Sequence, residues 1–166
     1  MAANDKDAVV RAFREIALLL ALKGENVFKI RAYDRAADRV AGLPADLRAL
    51  AADGRLVELP DIGAALAKKI AEILSTGGLE YLERLRAEFP PGILEVMRVP
   101  ELGPKRTRAL WKEAGVTDLA SLEAACRAGR VRALKGFGPA AEERILAKVA
   151  ALRSGQGPPE AGETPS

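Results

Sequence analysis

Two adjacent lysines, Lys68 and Lys69, have the clearest potential for chemistry in this sequence. They lie in "ELPDIGAALAKKIAEIL", where a turn signature precedes a helical pattern. On a helical wheel the apolar stripe contains Leu66, Ile70, Ile73 and Leu74. Lys68 lies nearly opposite this stripe, whereas Lys69 lies at its edge. Because a partly desolvated amine loses its proton more readily, Lys69 is the candidate Schiff-base nucleophile and Lys68 a candidate phosphate contact.

The 166-residue chain contains no histidine, which narrows the chemistry considerably. The usual zinc sites, the commonest general base and every Ser-His or Cys-His nucleophile are excluded. No pair of acids that could hold two Mg²⁺ at a phosphoryl-transfer centre is evident. The single Cys126 cannot form an internal disulfide, and its helical context predicts a buried apolar role.

The stretch around the lysines recurs twice further along the chain. "LPDIGAALAKKI" (59–70), "VPELGPKRTRAL" (99–110) and "LKGFGPAAEERI" (134–145) align without gaps. Their shared glycines are Gly63, Gly103 and Gly138, and a short helical segment precedes each copy. The repeat predicts one supersecondary unit, a helix, a tight turn and a second helix, used three times.

Each repeat places a glycine directly before a helix start. The glycine allows unusual backbone angles and a close ligand approach, and the amides that follow are unpaired donors where the helix dipole favours an anion. Phosphate is the natural ligand, and amide contacts to phosphate carry no base specificity. The second repeat adds Lys105, Arg106 and Arg108, which makes it the strongest anion-binding stretch.

The first turn glycine, present as Gly136 in the third repeat, is replaced by Asp61 and Glu101 in the other two. These acids either repel phosphate, or cap the following helix or accept turn hydrogen bonds. We favour capping, with modest DNA affinity. In the third repeat Glu142 and Glu143 weaken the anion site, and a mainly structural role is expected there.

The remaining patterns predict an all-α fold without a sheet. Helices are expected from a cap at Asn4 or Asp5 to Gly24, from Asn26 to Gly42, and after Pro44. We divide the chain into a four-helix-like domain (1–89), a smaller domain with two hairpins (90–153) and a disordered tail (154–166). Trp111 is expected in the core. No membrane or secretion signal is evident, so a soluble cytoplasmic monomer is expected.

The motif order resembles the N-terminal portion of bacterial family X DNA polymerases, relatives of DNA polymerase beta. The similarity covers about residues 5–153, including "LLALKGENVFKIRAYDRAADRVAGLP", "RVPELGPKRTRALWKEAGV" and "LKGFGPAAEERIL". It implies a lyase-type domain followed by a fingers region, with helix-hairpin-helix motifs. The polymerase palm and the histidine-rich phosphoesterase domain have no counterpart here, and no polymerase activity is expected. The proline-rich ending favours a free-standing protein over a truncated polymerase.

The resemblance also implies particular site residues. Lys69 falls at the nucleophile that attacks C1′ of an abasic 5′-deoxyribose phosphate. Lys29, Tyr33 and Arg35 match that site on one side of the second helix, whereas Phe28 replaces a histidine, and Val57 and Ala65 replace lysines. A monovalent cation, Na⁺ or K⁺, would bind the carbonyls of Val57, Leu59 and Ile62, and those of Met97, Val99 and Leu102. No other cofactor is implied.

We therefore predict a DNA-repair module that binds gapped, nicked or single-strand-junction DNA without sequence specificity. The alternatives are a base-excision-repair lyase acting through Lys69, and a docking scaffold for other repair proteins without DNA affinity. The DNA-binding residues expected from motif and resemblance together are Lys29, Tyr33, Arg35, Gly63, Ala65, Lys68, Gly103, Lys105, Arg106, Arg108, Gly136 and Gly138.

Overall fold

The computed structural model describes residues 2–155, and every regular element in that range is a helix. The predicted all-α fold is confirmed. The described chain divides into two compact units, with the boundary between Glu88 and Phe89. Of the tail predicted to be disordered, residues 156–166 lie outside the described residues.

The first unit contains five α-helices, one more than the four-helix-like domain that the sequence predicted. They are α1 (Ala2–Lys23), α2 (Val27–Ala41), α3 (Leu47–Ala52), α4 (Ala64–Thr76) and α5 (Glu80–Arg86), with a 3₁₀ helix over Leu56–Glu58 before α4. The second unit contains α6 (Ile93–Met97), α7 (Gly103–Ala114), α8 (Leu119–Arg127) and α9 (Pro139–Arg153).

Most predicted helix boundaries match the structure. The Asn26 side chain caps α2 by accepting a hydrogen bond from the Phe28 amide at 2.7 Å, and Gly42 follows the last turn. The cap at Asn4 or Asp5 is wrong, because α1 already begins at Ala2. The Asp5 carboxylate instead pairs with Arg48 of α3 at 2.9 Å.

The core of the first unit forms where the apolar face of α1 packs against α2. Phe13 meets the ring of Tyr33 edge-on at 5.5 Å, and Tyr33 stacks on Tyr81 of α5 at 6.3 Å. In α4, Ile70 and Ile73 are buried, and Leu66 and Leu74 are half-buried. The predicted stripe is confirmed, and it leaves Lys68 exposed and Lys69 half-buried at its edge.

The second unit has a separate core built from all four of its helices and their connections. It comprises Val96, Val99, Leu102, Leu110, Ala114, Val116, Leu122, Ala125, Cys126, Val131, Ile145 and Val149. Burial of Cys126 confirms its predicted structural role, and it raises the pKa of the thiol to about 11. Trp111 is half-buried rather than part of this core, and its ring lies against Phe89 at 5.5 Å.

In the described part of the chain, no helix combines the length and the apolar character needed to span a membrane.

Candidate nucleic-acid interface

The three sequence repeats have the same turn geometry. In each turn the amide of the fourth residue donates to the carbonyl of the first: Ile62 to Leu59 (3.2 Å), Leu102 to Val99 (3.0 Å) and Phe137 to Leu134 (3.1 Å). The third residue has a positive φ, 70° at Asp61, 80° at Glu101 and 87° at Gly136. Proline second and positive φ third, as in the first two turns, are typical of a type II β-turn.

Asp61 and Glu101 therefore occupy a backbone region that ordinarily favours glycine. Each carboxylate is held by a basic side chain from another helix of its own unit. Asp61 pairs with Arg39 of α2 at 3.3 Å. Glu101 pairs with Arg144 at 2.9 Å and with Lys148 at 2.6 Å, both on α9. Hydrogen bonds from Arg144 and then Lys148 lower the pKa of Glu101 to about 2.

The predicted capping role of these acids is wrong, because no side chain caps α4, α7 or α9. Basic residues of other helices hold the carboxylates instead. By contrast, side chains do cap α2, α3 and α8, through Asn26, Asp46 and Asp118. The first amides of the three hairpin helices thus remain unsatisfied by side chains, and such amides are donors for an anion.

The glycine before each hairpin helix is not explained by crowding. A Cβ atom built at Gly63, Gly103 or Gly138 would meet nothing within 4 Å. Only Gly103, with φ 63°, has the unusual backbone angle expected at these positions. Gly63, with φ −86°, and Gly138, which is extended with φ 178°, have conformations open to any L-residue. At these two sites nothing inside the protein requires glycine.

The basic residues of the second repeat divide into two kinds. Lys105 and Arg108 are exposed and have no carboxylate within 4.0 Å among residues 2–155. Arg106 donates to the carbonyls of Glu101 (3.3 Å) and Gly136 (3.2 Å), and its guanidinium lies over the ring of Phe137. Arg106 therefore connects the second turn to the third.

Of the two acids in the third repeat, one is buried and paired inside the unit. Glu142 is buried and accepts hydrogen bonds from the Arg132 amide (3.0 Å) and the Arg132 Nε (2.7 Å). Its charge is therefore balanced inside the unit rather than presented beside the turn. Glu143 is exposed, and so is Lys135, the second residue of the third turn.

In the first unit, Lys69 faces an aromatic ring. Its Nζ lies 4.8 Å from the centroid of the Tyr81 ring, which in turn stacks on Tyr33. Beside it is a groove of about 240 Å³, whose lining includes Ala65, Lys68, Lys69, Glu72, Tyr81 and Arg84. The groove thus contains three cationic side chains, together with the carboxylates of Glu72 and Glu80.

The structure does not bring the whole predicted lyase site together. Tyr33 is buried, at 6% exposure, whereas Lys29 and Arg35 are exposed. Arg35 lines a different groove, of about 250 Å³, with Arg39 and Asp61. Phe28 and Val57, which stand where the resemblance implies a histidine and a lysine, are 71% and 52% exposed.

The carbonyls implied as cation ligands belong to the first two turns and the residues just before them. In each set one carbonyl, of Leu59 or Val99, accepts the turn hydrogen bond and retains a second lone pair. Peptide carbonyls suit Na⁺ and K⁺, so the donor chemistry fits. Among the residues described, no group of three or more His, Cys, Asp or Glu side chains could hold a metal ion.

Sequence reasoning missed the partners of the turn acids. Arg39, Arg144 and Lys148 lie 22, 43 and 47 residues from the carboxylates they hold. The one local signal was the spacing of Arg144 and Lys148, which puts both on the same face of a helix.

Comparison with known proteins agrees with these features. A helix-hairpin-helix domain model matches residues 4–79, and a model of a SAM-like helix-hairpin-helix tandem matches residues 93–150. The DNA polymerase/3'-5' exonuclease PolX of Bacillus subtilis (strain 168) is 38% identical over 141 residues. This alignment covers 85% of the present chain and 24% of the relative, so the chain spans about a quarter of that protein's length. The chain therefore contains helix-hairpin-helix domains, and over most of its length it is similar to part of a bacterial protein named as a PolX DNA polymerase and exonuclease.

Proposed function

We propose that this protein is a DNA-binding module of the repair type, which holds backbone phosphates at its hairpin turns without reading base sequence. The observation that carries this proposal is the pair Gly63 and Gly138. Neither glycine is required by a backbone angle or by crowding, and each precedes an uncapped helix. A site kept free of a side chain, next to unpaired amides, suits the close approach of a phosphate.

The charges around the turns support the same function. The turn acids Asp61 and Glu101 are paired internally, so they present less negative charge to a phosphate than the sequence suggested. Lys105, Arg108 and Lys135 remain exposed beside the second and third turns. The docking-scaffold alternative depended on the acids abolishing DNA binding, and their pairing removes that support.

Replacing the two open glycines tests this proposal. Gly63→Ala and Gly138→Ala should leave the melting temperature unchanged and weaken DNA binding, because each methyl group would occupy space reserved for a phosphate. Binding is measured by fluorescence anisotropy with a labelled gapped duplex. Gly78→Ala is the matched control, since Gly78 is equally open but lies in no hairpin turn. Unchanged affinity in both hairpin variants would contradict phosphate binding at the turns.

The preferred DNA in this proposal is gapped, nicked or single-strand-junction DNA, in keeping with a relative named as a DNA polymerase and exonuclease. The same anisotropy assay should rank a gapped or nicked duplex above intact duplex of the same length. If the protein binds intact duplex equally well, the proposed preference for gaps and nicks is contradicted, whereas general binding to backbone phosphates is not.

A monovalent cation at the first two turns belongs to the same proposal. The ion, Na⁺ or K⁺, would be held near a DNA phosphate by one of two sets of carbonyls, those of Val57, Leu59 and Ile62 or those of Met97, Val99 and Leu102. Binding should be weaker in tetramethylammonium chloride than in potassium chloride of equal ionic strength, because the bulky organic cation cannot be coordinated closely by peptide carbonyls. Equal affinity in the two salts would contradict the cation site.

A second function, 5′-deoxyribose-phosphate lyase, is favoured by the position of Lys69. Lys69 is half-buried, and its Nζ lies over the Tyr81 ring at a groove that also contains Lys68 and Arg84. In this reaction the Lys69 amine adds to C1′ of the open-chain sugar and loses water to form an imine. The imine then loses a proton from C2′ to water, and β-elimination breaks the C3′–O bond and releases the downstream strand with a 5′ phosphate. Water hydrolyses the remaining imine, which frees the lysine and releases the unsaturated sugar phosphate.

Borohydride trapping tests the lyase function. The protein incubated with a 5′-deoxyribose-phosphate duplex should form a covalent adduct that Lys69→Ala abolishes and Lys68→Ala retains. Lys68 is a matched control because it is the adjacent, exposed amine of the same groove. An adduct that survives Lys69→Ala, or no adduct at all, would remove this activity.

A further inference from the structure

An internal salt-bridge cluster lies at the second hairpin turn. Both oxygens of the Glu101 carboxylate accept hydrogen bonds from Arg144, at 3.0 and 3.1 Å from Nε and 2.9 Å from Nη2. Lys148 Nζ donates to the same carboxylate at 2.6 Å. The two cations are four residues apart on α9, so they project together from one face.

The chemistry of this cluster also suits a phosphate. The fork of an arginine matches phosphate oxygens as well as it matches a carboxylate, and a lysine is a common phosphate ligand. Two cations face one carboxylate, which leaves excess positive charge. The Arg144, Lys148 and Glu101 side chains are 54%, 34% and 25% exposed, so a ligand in solution can reach them.

The cluster also lies where the DNA backbone is expected. Glu101 is the third residue of the second turn, and its carbonyl accepts from Arg106, which also binds Gly136 of the third turn. Arg144 is only about 8 Å along α9 from the uncapped start of that helix, at a rise of 1.5 Å per residue. The carboxylate of the second turn thus occupies a cationic site on the helix that follows the third turn.

We propose that Arg144 and Lys148 form a phosphate-binding pair for a DNA strand, and that Glu101 fills this site in the free protein. The inference rests on the DNA-binding function proposed above. When DNA binds, a backbone phosphate replaces the Glu101 carboxylate on the two cations. Glu101 is therefore an internal competitor that lowers DNA affinity.

Neutralising Glu101 tests this proposal. Glu101→Gln should raise affinity for a gapped duplex about threefold to tenfold and steepen the log-log salt dependence by about one unit per phosphate gained. Adding Arg144→Gln and Lys148→Gln to that variant should remove the gain. Glu101→Gly should raise affinity in the same way. This variant has the glycine that the third turn has at this position, so it serves as the test if Glu101→Gln folds poorly.

Glu123→Gln is the matched control. Glu123 also joins two cations of the second unit, Arg127 and Arg153, each at 2.6 Å. Its neutralisation changes the net charge equally, but Arg153 lies about 14 Å farther along α9 than Arg144. The proposal expects almost no gain in affinity from this variant, and an equal gain would overturn it in favour of a general charge effect.

The outcomes separate the inference from the function on which it rests. If the wild-type protein binds DNA and neither folded Glu101 variant binds more tightly, the inference alone is overturned. If the wild-type protein and all variants fail to bind gapped, nicked and single-stranded DNA, the proposed function fails and the inference fails with it.

Discussion

At the scale of single residues, each turn acid combines a positive φ angle with an ion pair to a distant basic residue. The sequence correctly marked Asp61 and Glu101 as departures from the glycine of the third turn, but it did not predict their role. Their positive φ belongs to the type II turn, which the preceding proline and the alignment with Gly136 indicate. An ion pair with a cation more than 20 residues away depends on tertiary packing, and local sequence patterns do not contain it.

The Glu101 pairing predicts a specific pH dependence of stability. The pKa of Glu101 is lowered from 4.5 to about 2 in the folded protein, so its ion pairs contribute fully above about pH 4.5. This contribution is lost as the pH falls through about 2. The difference in melting temperature between wild type and Glu101→Gln should therefore shrink between these pH values, as followed by circular dichroism. A difference that stays constant from neutral pH down to about 2 would contradict the pairing.

The backbone φ angles of Gly103 and Gly63 predict that replacing these two glycines by alanine lowers the free energy of unfolding by different amounts. Gly103→Ala should destabilise the protein by about 1 kcal/mol, because its φ of 63° strains an L-residue. Gly63→Ala should cost almost nothing, since a φ of −86° is open to alanine. Urea denaturation measures both values, and equal costs would show that the two turns share one backbone conformation.

At the scale of secondary-structure elements, periodicity and capping residues predicted most of the helices. The gap-free repeat placed all three hairpins correctly, because each turn depends on residues close together in the sequence. The seven-residue helix α5 carries little periodic signal, which explains the extra helix of the first unit. The α1 start was misplaced because Asp5 serves a tertiary ion pair rather than a cap.

Arg106 and Arg108 of the second repeat have different roles, so replacing each of them should have a different effect. Arg106→Ala should lower the melting temperature, because Arg106 alone in this repeat joins the second turn to the carbonyl of Gly136. Arg108→Ala should leave the melting temperature unchanged and reduce the salt slope of DNA binding by about one unit. Equal thermal stability of the two variants would contradict the bracing role of Arg106.

At the scale of the whole molecule, two helical units each carry hairpin turns with uncapped helix starts. The groove beside Lys69 is lined by residues of the first unit, and the exposed cations Lys105, Arg108 and Lys135 flank the turns of the second. The sequence predicted this division of motifs, since it follows from the repeats and from Lys69. It could not predict which cations are free, because that depends on long-range pairs such as Glu101 with Arg144.

The most direct test of DNA binding at the turns is a salt titration of affinity for a gapped duplex, measured by fluorescence anisotropy. If the exposed cations beside the second and third turns, Lys105, Arg108 and Lys135, each neutralise one phosphate, the log-log slope should be about −2.7. Affinity should then fall roughly 40-fold between about 50 and 200 mM salt. Affinity that barely changes over this range would contradict phosphate binding by the hairpin turns.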